Sequence, residues 1–150
     1  MSEDKKNMVE RWNGVFHVLM RAVVNDIQRR LQPTLDEHGL SKVHVAYLLA
    51  LDSGRTTLRG LSDHLSLDKA NTTRAVNGLR EAGLTEDDRE VKNSRKYNVF
   101  LTDKGKELVE ILKTELNGAY DQYMERISEE EIHMTLDVLD RIRKNVESSK

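Results

Sequence analysis

Asp68-Lys69-Ala70-Asn71-Thr72-Thr73-Arg74-Ala75-Val76-Asn77-Gly78-Leu79-Arg80-Glu81-Ala82-Gly83-Leu84 is the stretch on which the reading of this 150-residue chain turns. Asp68 is a strong helix N-cap and Gly83 a strong stop. Between them Thr72, Ala75, Val76 and Leu79 recur at spacings of three and four, the face of a helix that must pack inward. The opposite face carries Ala70, Thr73, Arg74 and Asn77, which are small or polar. A helix can lie in a DNA major groove only if its leading side chains do not hold it off, and this set meets that condition. Arginine can donate two bonds to guanine, asparagine can bond adenine in both directions, and the methyls of Ala70 and Thr73 can touch thymine. Lys69 and Asn71 stand near the helix start, within reach of phosphate, which the free N–H groups there also attract. An ordinary solvated helix face is the other reading of the same pattern. Gly78 weakens a helix by about 1 kcal/mol relative to alanine, and close approach of another backbone would account for it.

Working outward, Thr57 can cap a short helix holding Leu58, Leu61 and Leu65, separated from the first stretch by Ser66-Leu67. Beyond Leu84, residues Lys96 to Leu101 alternate, placing Tyr97, Val99 and Leu101 on one side of a strand, and a polar stretch with Asn93 and Ser94 makes the turn of a hairpin. Two short helices followed by a hairpin give the order of a winged helix-turn-helix over about 56–102. From Arg89 to Lys96 the four cations Arg89, Lys92, Arg95 and Lys96 face only Glu90, a local charge of +3. Such a loop can follow phosphates, with Arg95 the choice for the narrow minor groove. Glu86-Asp87-Asp88, just before it, would repel phosphate unless paired with Arg89 or Lys96, and a merely solubilising loop is the alternative.

Long amphipathic segments flank this centre. Val9, Trp12, Phe16, Leu19, Val23, Ile27 and Leu31 share one face, and Pro33, the only proline, is expected to end that helix. A short element closed by Gly39 should follow, then a helix capped by Ser41 with Val45, Leu48, Leu49 and Leu51 on its face. Thr102 can cap a long helix bearing Leu108, Ile111, Leu112, Leu116, Tyr120, Tyr123 and Ile127. Ser128-Glu129-Glu130-Glu131 fits a capping box and starts a last helix with Ile132, Leu136, Leu139, Ile142 and Val146. The expected architecture is mainly α with a small β-hairpin wing, a single domain over 1–150.

Composition limits the functions open to it. The net charge of −2 gives no global support for nucleic-acid binding, so any such role rests on local pattern. No apolar run approaches a membrane span, and Met1 to Glu10 is too charged for a secretory signal, so a cytoplasmic protein with no membrane partner is expected. The absence of cysteine excludes disulfides, thiolate metal sites and thiol redox sensing. His17, His38, His44, His64 and His133 show no compact ligand spacing, and there is no phosphate-cradling glycine motif, nucleophile elbow or paired acid motif. A non-enzyme without metal or cofactor is expected.

Leu61-Ser62-Asp63-His64-Leu65, Asp68 through Arg74, Leu79 through Leu84, and Leu101-Thr102-Asp103-Lys104-Gly105 together resemble, in order and spacing, the multiple antibiotic resistance regulator (MarR) family of winged helix-turn-helix transcriptional regulators. The resemblance covers nearly the whole chain. It implies an obligate homodimer whose dimerisation helices, about 5–31 and 103–147, interlock and set two winged lobes about 34 Å apart on a pseudo-palindromic operator. It also implies a regulator, most often a repressor, released by a small anionic or phenolic effector held between the dimer helices and the DNA-binding lobe. Asn13, His17, His38 and His44 lie on elements that could line such a pocket. Two positions depart from the family: Asn93 replaces the aspartate usual two residues before the wing arginine, and Asp87 stands where a basic residue is common. A winged-helix module that binds protein and not DNA remains the alternative, motivated by residues 86–88 and the near-neutral total charge.

Overall fold

The computed structural model describes residues 1–92 and 94–149; Asn93, the first departure, lies outside them. The chain forms two compact units, Met1–Glu115 and Leu116–Lys150.

The first unit begins with α1 (Glu3–Glu37), which runs through Pro33 instead of ending there. A proline so near the end removes one hydrogen bond of the ladder. The turn that follows is held instead by buried Leu31 and Leu35 and by a Schellman closure. In it Leu40 N–H donates to Leu35 O at 2.9 Å and Gly39 N–H to Asp36 O at 3.1 Å, with Gly39 at φ +65°. What reads in sequence as a separate short element is therefore the last turn of α1, and Gly39 is its stop. In α2 (Lys42–Leu51) the Ser41 N–H donates to His44 Nδ1 at 3.1 Å, the reciprocal half of a capping box. This helix buries Tyr47, Leu48 and Leu51 and leaves Val45 and Leu49 half-buried. The Tyr47 hydroxyl lies 3.1 Å from Thr72 Oγ1 in the core, so the aromatic residue carries a polar tie.

The central elements follow in order: β1 (Thr56–Thr57), α3 (Leu58–Leu65), α4 (Lys69–Glu81), β2 (Thr85–Asp87) and β3 (Asn98–Leu101). Thr57 Oγ1 accepts Gly60 N–H at 3.0 Å and Asp68 Oδ1 accepts Asn71 N–H at 3.0 Å, so both expected caps form. α4 buries Thr72, Ala75, Val76 and Leu79, the four residues of the predicted inward face. α2, α3 and α4 pack on one another, and α4 also packs on β2. The sheet is antiparallel in the order β1-β3-β2, with Thr56 opposite Val99 and Thr85 opposite Leu101. The hairpin is legible in the sequence; β1 is not, because two residues carry no periodicity.

α5 (Asp103–Tyr123) is joined to the end of α4 by a group of bonds. Thr102 Oγ1 donates to Gly83 O at 2.7 Å and accepts Gly105 N–H at 3.1 Å; Thr102 N–H donates to Leu84 O at 3.0 Å, and Lys104 Nζ to Ala82 O at 3.0 Å. Gly105 lies so close to Leu84 that an added Cβ would be 3.1 Å from its carbonyl carbon and would collide with the oxygen. Leu108, Val109 and Leu112 are buried in this first unit.

In the second unit α5 stops at Tyr123, short of Ile127. Arg126 adopts φ +64°, which turns the chain so that Ser128 can cap α6 (Glu129–Ser148). Ser128 N–H donates to Glu131 Oε2 at 2.8 Å and Glu131 N–H to Ser128 Oγ at 3.2 Å, the expected capping box. No residue of α6 is buried, and Leu136, Leu139 and Val146 are exposed. On α1, Val9, Trp12 and Leu19 are exposed as well.

Gly105→Ala should destabilise the chain by about 3 kcal/mol in urea unfolding, the upper end for overpacking, because the atom it meets is a backbone carbonyl that cannot swing aside. A loss under about 0.5 kcal/mol, the range of an unremarkable surface change, would show that the approach is not limiting.

Candidate nucleic-acid interface

On the outer side of α4, Ala70 and Arg74 are exposed while Thr73 and Asn77 are half-buried. Their polar groups are tied together at spacings of three and four. Asp68 Oδ2 accepts Asn71 Nδ2 at 2.8 Å, and Asn71 Oδ1 accepts from Arg74. Thr73 Oγ1 donates to Lys69 O at 2.9 Å. Arg80 Nη2 donates to Asn77 Oδ1 at 3.1 Å. Asn71, expected near phosphate, thus links the cap to Arg74. Gly78 is approached by a side chain and not, as expected, by a backbone: a Cβ there would lie 3.1 Å from His44 Nε2.

Lys69, Arg89, Lys92 and Arg95 line one cleft of about 480 Å³ between the start of α4 and the wing, together with Leu58, Ser94 and Tyr97. Among the described residues no carboxylate lines it, so its four cations favour an anion. Lys96 points elsewhere, lining a second groove with Asp88 and Glu90. The structure therefore brings four of the six predicted basic residues together, places Arg74 in a separate cleft on α4 and separates Lys96 from both.

Arg89 is held more tightly than an exposed cation. Its Nη2 lies 2.7 Å from Asp87 Oδ2, its Nε and its backbone N–H each 3.2 Å from Asp87 Oδ1, and its guanidinium 4.0 Å above the Tyr97 ring. Arg80 Nη1 reaches Asp87 Oδ2 at 3.3 Å. These bonds, Arg89's foremost, hold the Asp87 carboxyl at about 2, down from 3.8. Asp88 accepts Asn98 N–H at 2.7 Å and Asn98 Nδ2 at 3.0 Å, with Arg55 at 3.9 Å, and its pKa is lowered by them, by the backbone bond most. Two of the three acids that would repel phosphate are thus turned into the frame of the wing. Asp87 is half-buried, whereas Glu86 and Asp88 are exposed.

The four candidate effector residues do not converge. His44 lines a cleft of about 460 Å³ with Ser41, Tyr47, Asn71 and Arg74 between α2 and α4. Asn13 and His17 are exposed on the N-terminal half of α1, and His38 caps its other end by donating Nδ1–H to Thr34 O at 2.9 Å. Among the described residues no group of three or more His, Asp or Glu is placed to hold a metal ion, and no helix is long and apolar enough to cross a membrane. Arg80, Arg55 and Tyr97 are the functional neighbours that sequence reasoning missed. Arg80 stands three residues beyond Asn77, a spacing visible in the sequence, but its second partner Asp87 lies across a turn.

No family model matches the chain. The uncharacterized HTH-type transcriptional regulator YdgJ of Bacillus subtilis is 31% identical over 86 residues, 57% of this chain. The matched segment spans about half of that relative, 52% of its length. Among solved structures, a MarR protein from Peptoclostridium difficile is 28% identical, with a TM-score of 0.73 over 94% of this chain and 88% of its own. Staphylococcus aureus MarR, solved in complex with salicylate and kanamycin, is 18% identical, with a TM-score of 0.84 over 98% and 97%. The fold is of the winged helix-turn-helix class, and the similar solved structures are described as transcriptional regulators. Within that class, the fold is that of the MarR family.

Because the Asp87 pKa is lower in the folded chain than the ordinary 3.8, its pairing stabilises the fold above that value, and the contribution is lost as pH falls from about 4 to about 2. Asp87→Asn should therefore be less stable than the wild type by about 1–2 kcal/mol at pH 7, with the gap closing toward pH 2. Denaturation curves of both chains across that range check it; a gap that does not change with pH would assign the loss to something other than the charge.

Proposed function

We propose that the chain is a homodimeric, sequence-specific regulator of transcription that binds double-stranded DNA, acts as a repressor and is released by a small ligand. The observation that carries this reading is the small outer face of Ala70, Thr73, Arg74 and Asn77 beside a cleft lined by Lys69, Arg89, Lys92 and Arg95. A helix with that face fits a major groove, and the adjoining cations fit the phosphates that border it. Lys96, on the far side of the wing, would contribute to the general field. Dimerisation is supported by the apolar side chains left exposed on α1 and α6, including Trp12, Leu19, Leu136 and Leu139, which one chain alone does not cover. A two-fold pair with about one helical turn between its recognition helices would read a pseudo-palindrome. Such a protein works in the cytoplasm.

Ligand release is supported by the salicylate and kanamycin bound to the Staphylococcus aureus protein. In this chain the cleft beside His44 is the place favoured for an effector, since Arg74 is part of its wall and a small anion there would draw the guanidinium away from a base. Asn13, His17 and His38 would join it only through a partner subunit. The protein-interaction alternative loses part of its motive, because Asp87 and Asp88 are engaged within the wing, and keeps Glu86 and the net charge of −2 in its favour.

Sites selected from random duplexes should share a base pair whose preference Arg74→Ala relaxes, at a cost of about 1–3 kcal/mol. Arg95→Ala should weaken binding to all duplexes alike and reduce the salt slope by about 1. If the double variant keeps both affinity and slope, these contacts are misassigned.

A further inference from the structure

Asp87 stands at the junction between the wing and α4, and both its oxygens are engaged. Oδ1 takes the Arg89 backbone N–H and Nε, each at 3.2 Å. Oδ2 is shared between Arg89 Nη2 at 2.7 Å and Arg80 Nη1 at 3.3 Å. On the wing side the run continues through the Arg89 guanidinium to the Tyr97 ring, 4.0 Å away. On the helix side it continues through Arg80 Nη2 to Asn77 Oδ1 at 3.1 Å. One unbroken series of contacts therefore joins Tyr97 of the wing to Asn77 on the outward face of α4.

Shielding decides which links matter most. The Asp87 and Arg89 side chains are 15% and 20% exposed, whereas Arg80 is 44% exposed. The bidentate, stacked Asp87–Arg89 pair is the rigid part, since a planar fork on a carboxylate fixes orientation as well as distance. The Arg80 arm is the more easily exchanged with solvent and transmits the wing's position to the helix. A carboxylate beside a surface meant for a polyanion is unfavourable by charge alone, so its presence there calls for a geometric role.

We propose that Asp87 is a positioning residue that fixes the wing against α4 and orients Asn77, and so raises selectivity for a particular DNA sequence at the expense of general phosphate affinity. This rests on the DNA-binding reading above. Arg80 and Arg89 are withheld from phosphate while Asp87 holds them, and the cleft then binds through Lys69, Lys92 and Arg95. Release of the two arginines would add mobile cations to the surface and loosen the register between wing and helix.

The test compares the full chain with Asp87→Asn, which keeps the shape but not the charge, and Asp87→Glu, which keeps the charge but not the reach. Binding is measured on a selected duplex and on a random one across a salt series. Asp87→Asn is expected to lose at least about tenfold on the selected duplex while holding or gaining on the random one, with a salt slope steeper by about one per freed arginine that finds a phosphate. Asp87→Glu should also lose selectivity. If Asp87→Asn tightens binding to both duplexes equally and Asp87→Glu matches the wild type, Asp87 acts only as a charge and the proposal is overturned. A second measurement needs no DNA: in NMR spectra Asp87→Asn should shift the Asn77 side-chain amide and lower amide-exchange protection at the β2–β3 end of the wing. An unchanged Asn77 signal overturns the positional link. If the wild type binds neither duplex, the DNA reading and the selectivity role both fail, whereas a shifted Asn77 amide in that case still supports the wing-to-helix link.

Discussion

The carbonyls of Ala82, Gly83 and Leu84 leave the end of α4 with no helical partner, and Thr102, which caps α5, and Lys104 in its first turn take all three. Helix ends must satisfy such groups with something, and here the something is another helix start. Thr102 serves twice, capping α5 with its hydroxyl oxygen while donating to the end of α4. The absence of a side chain at Gly105 lets the backbones come close enough for this, which is a packing reason for glycine in a helix's first turn. Because Thr85 and Leu101, next to that junction, stand opposite each other in the sheet, the chain between them is pinned at both ends and must project as a wing. The root of the wing is therefore placed by hydrogen bonds that touch neither the base-facing side chains nor the cationic cleft, and the Asp87 contacts act further out.

Electrostatics on this lobe follows from where charges point more than from how many there are. A net charge of −2 would suggest indifference to nucleic acid, yet Asp87 is turned onto Arg89 and Arg80 and the exposed Asp88 is engaged by Asn98, while Lys69, Lys92 and Arg95 face a shared cleft. The acids thus serve the geometry of the wing, and the repulsion counted from the linear run is largely removed. The same arrangement makes Arg89 a structural cation first. Its contribution to an anion's field persists, but its donors are mostly taken by Asp87.

Much of the lobe could be read from neighbours in sequence. The N-caps at Thr57, Asp68 and Ser128 form as expected, the inward face of α4 is Thr72, Ala75, Val76 and Leu79, and Gly39 and Gly83 close their helices. Each depends on atoms within about one turn of each other, so spacing along the chain specifies them. The interruption expected at Pro33 fails for a related reason: a local rule removes one bond, whereas Leu31 and Leu35, buried by the rest of the unit, keep the helix going.

Other features depended on which elements meet. β1 exists only because Thr56 finds Val99; Gly78 is explained by the imidazole of His44 from α2; Lys96 and Arg95, adjacent in sequence, line different grooves. The pairing of Asp87 with Arg89, two residues on, is open to a reading of the sequence, but the Arg80 arm, seven residues earlier and across the turn at Gly83, is not. What the sequence by itself determined was therefore the helices, their caps and the inward and outward faces of the recognition helix. The direction of each wing charge, the tie between wing and helix, and the separation of Asn13, His17, His38 and His44 were decided by tertiary structure. The physical reason is that side-chain direction beyond one helical turn is set by packing and hydrogen bonding between elements, which no spacing along the chain encodes.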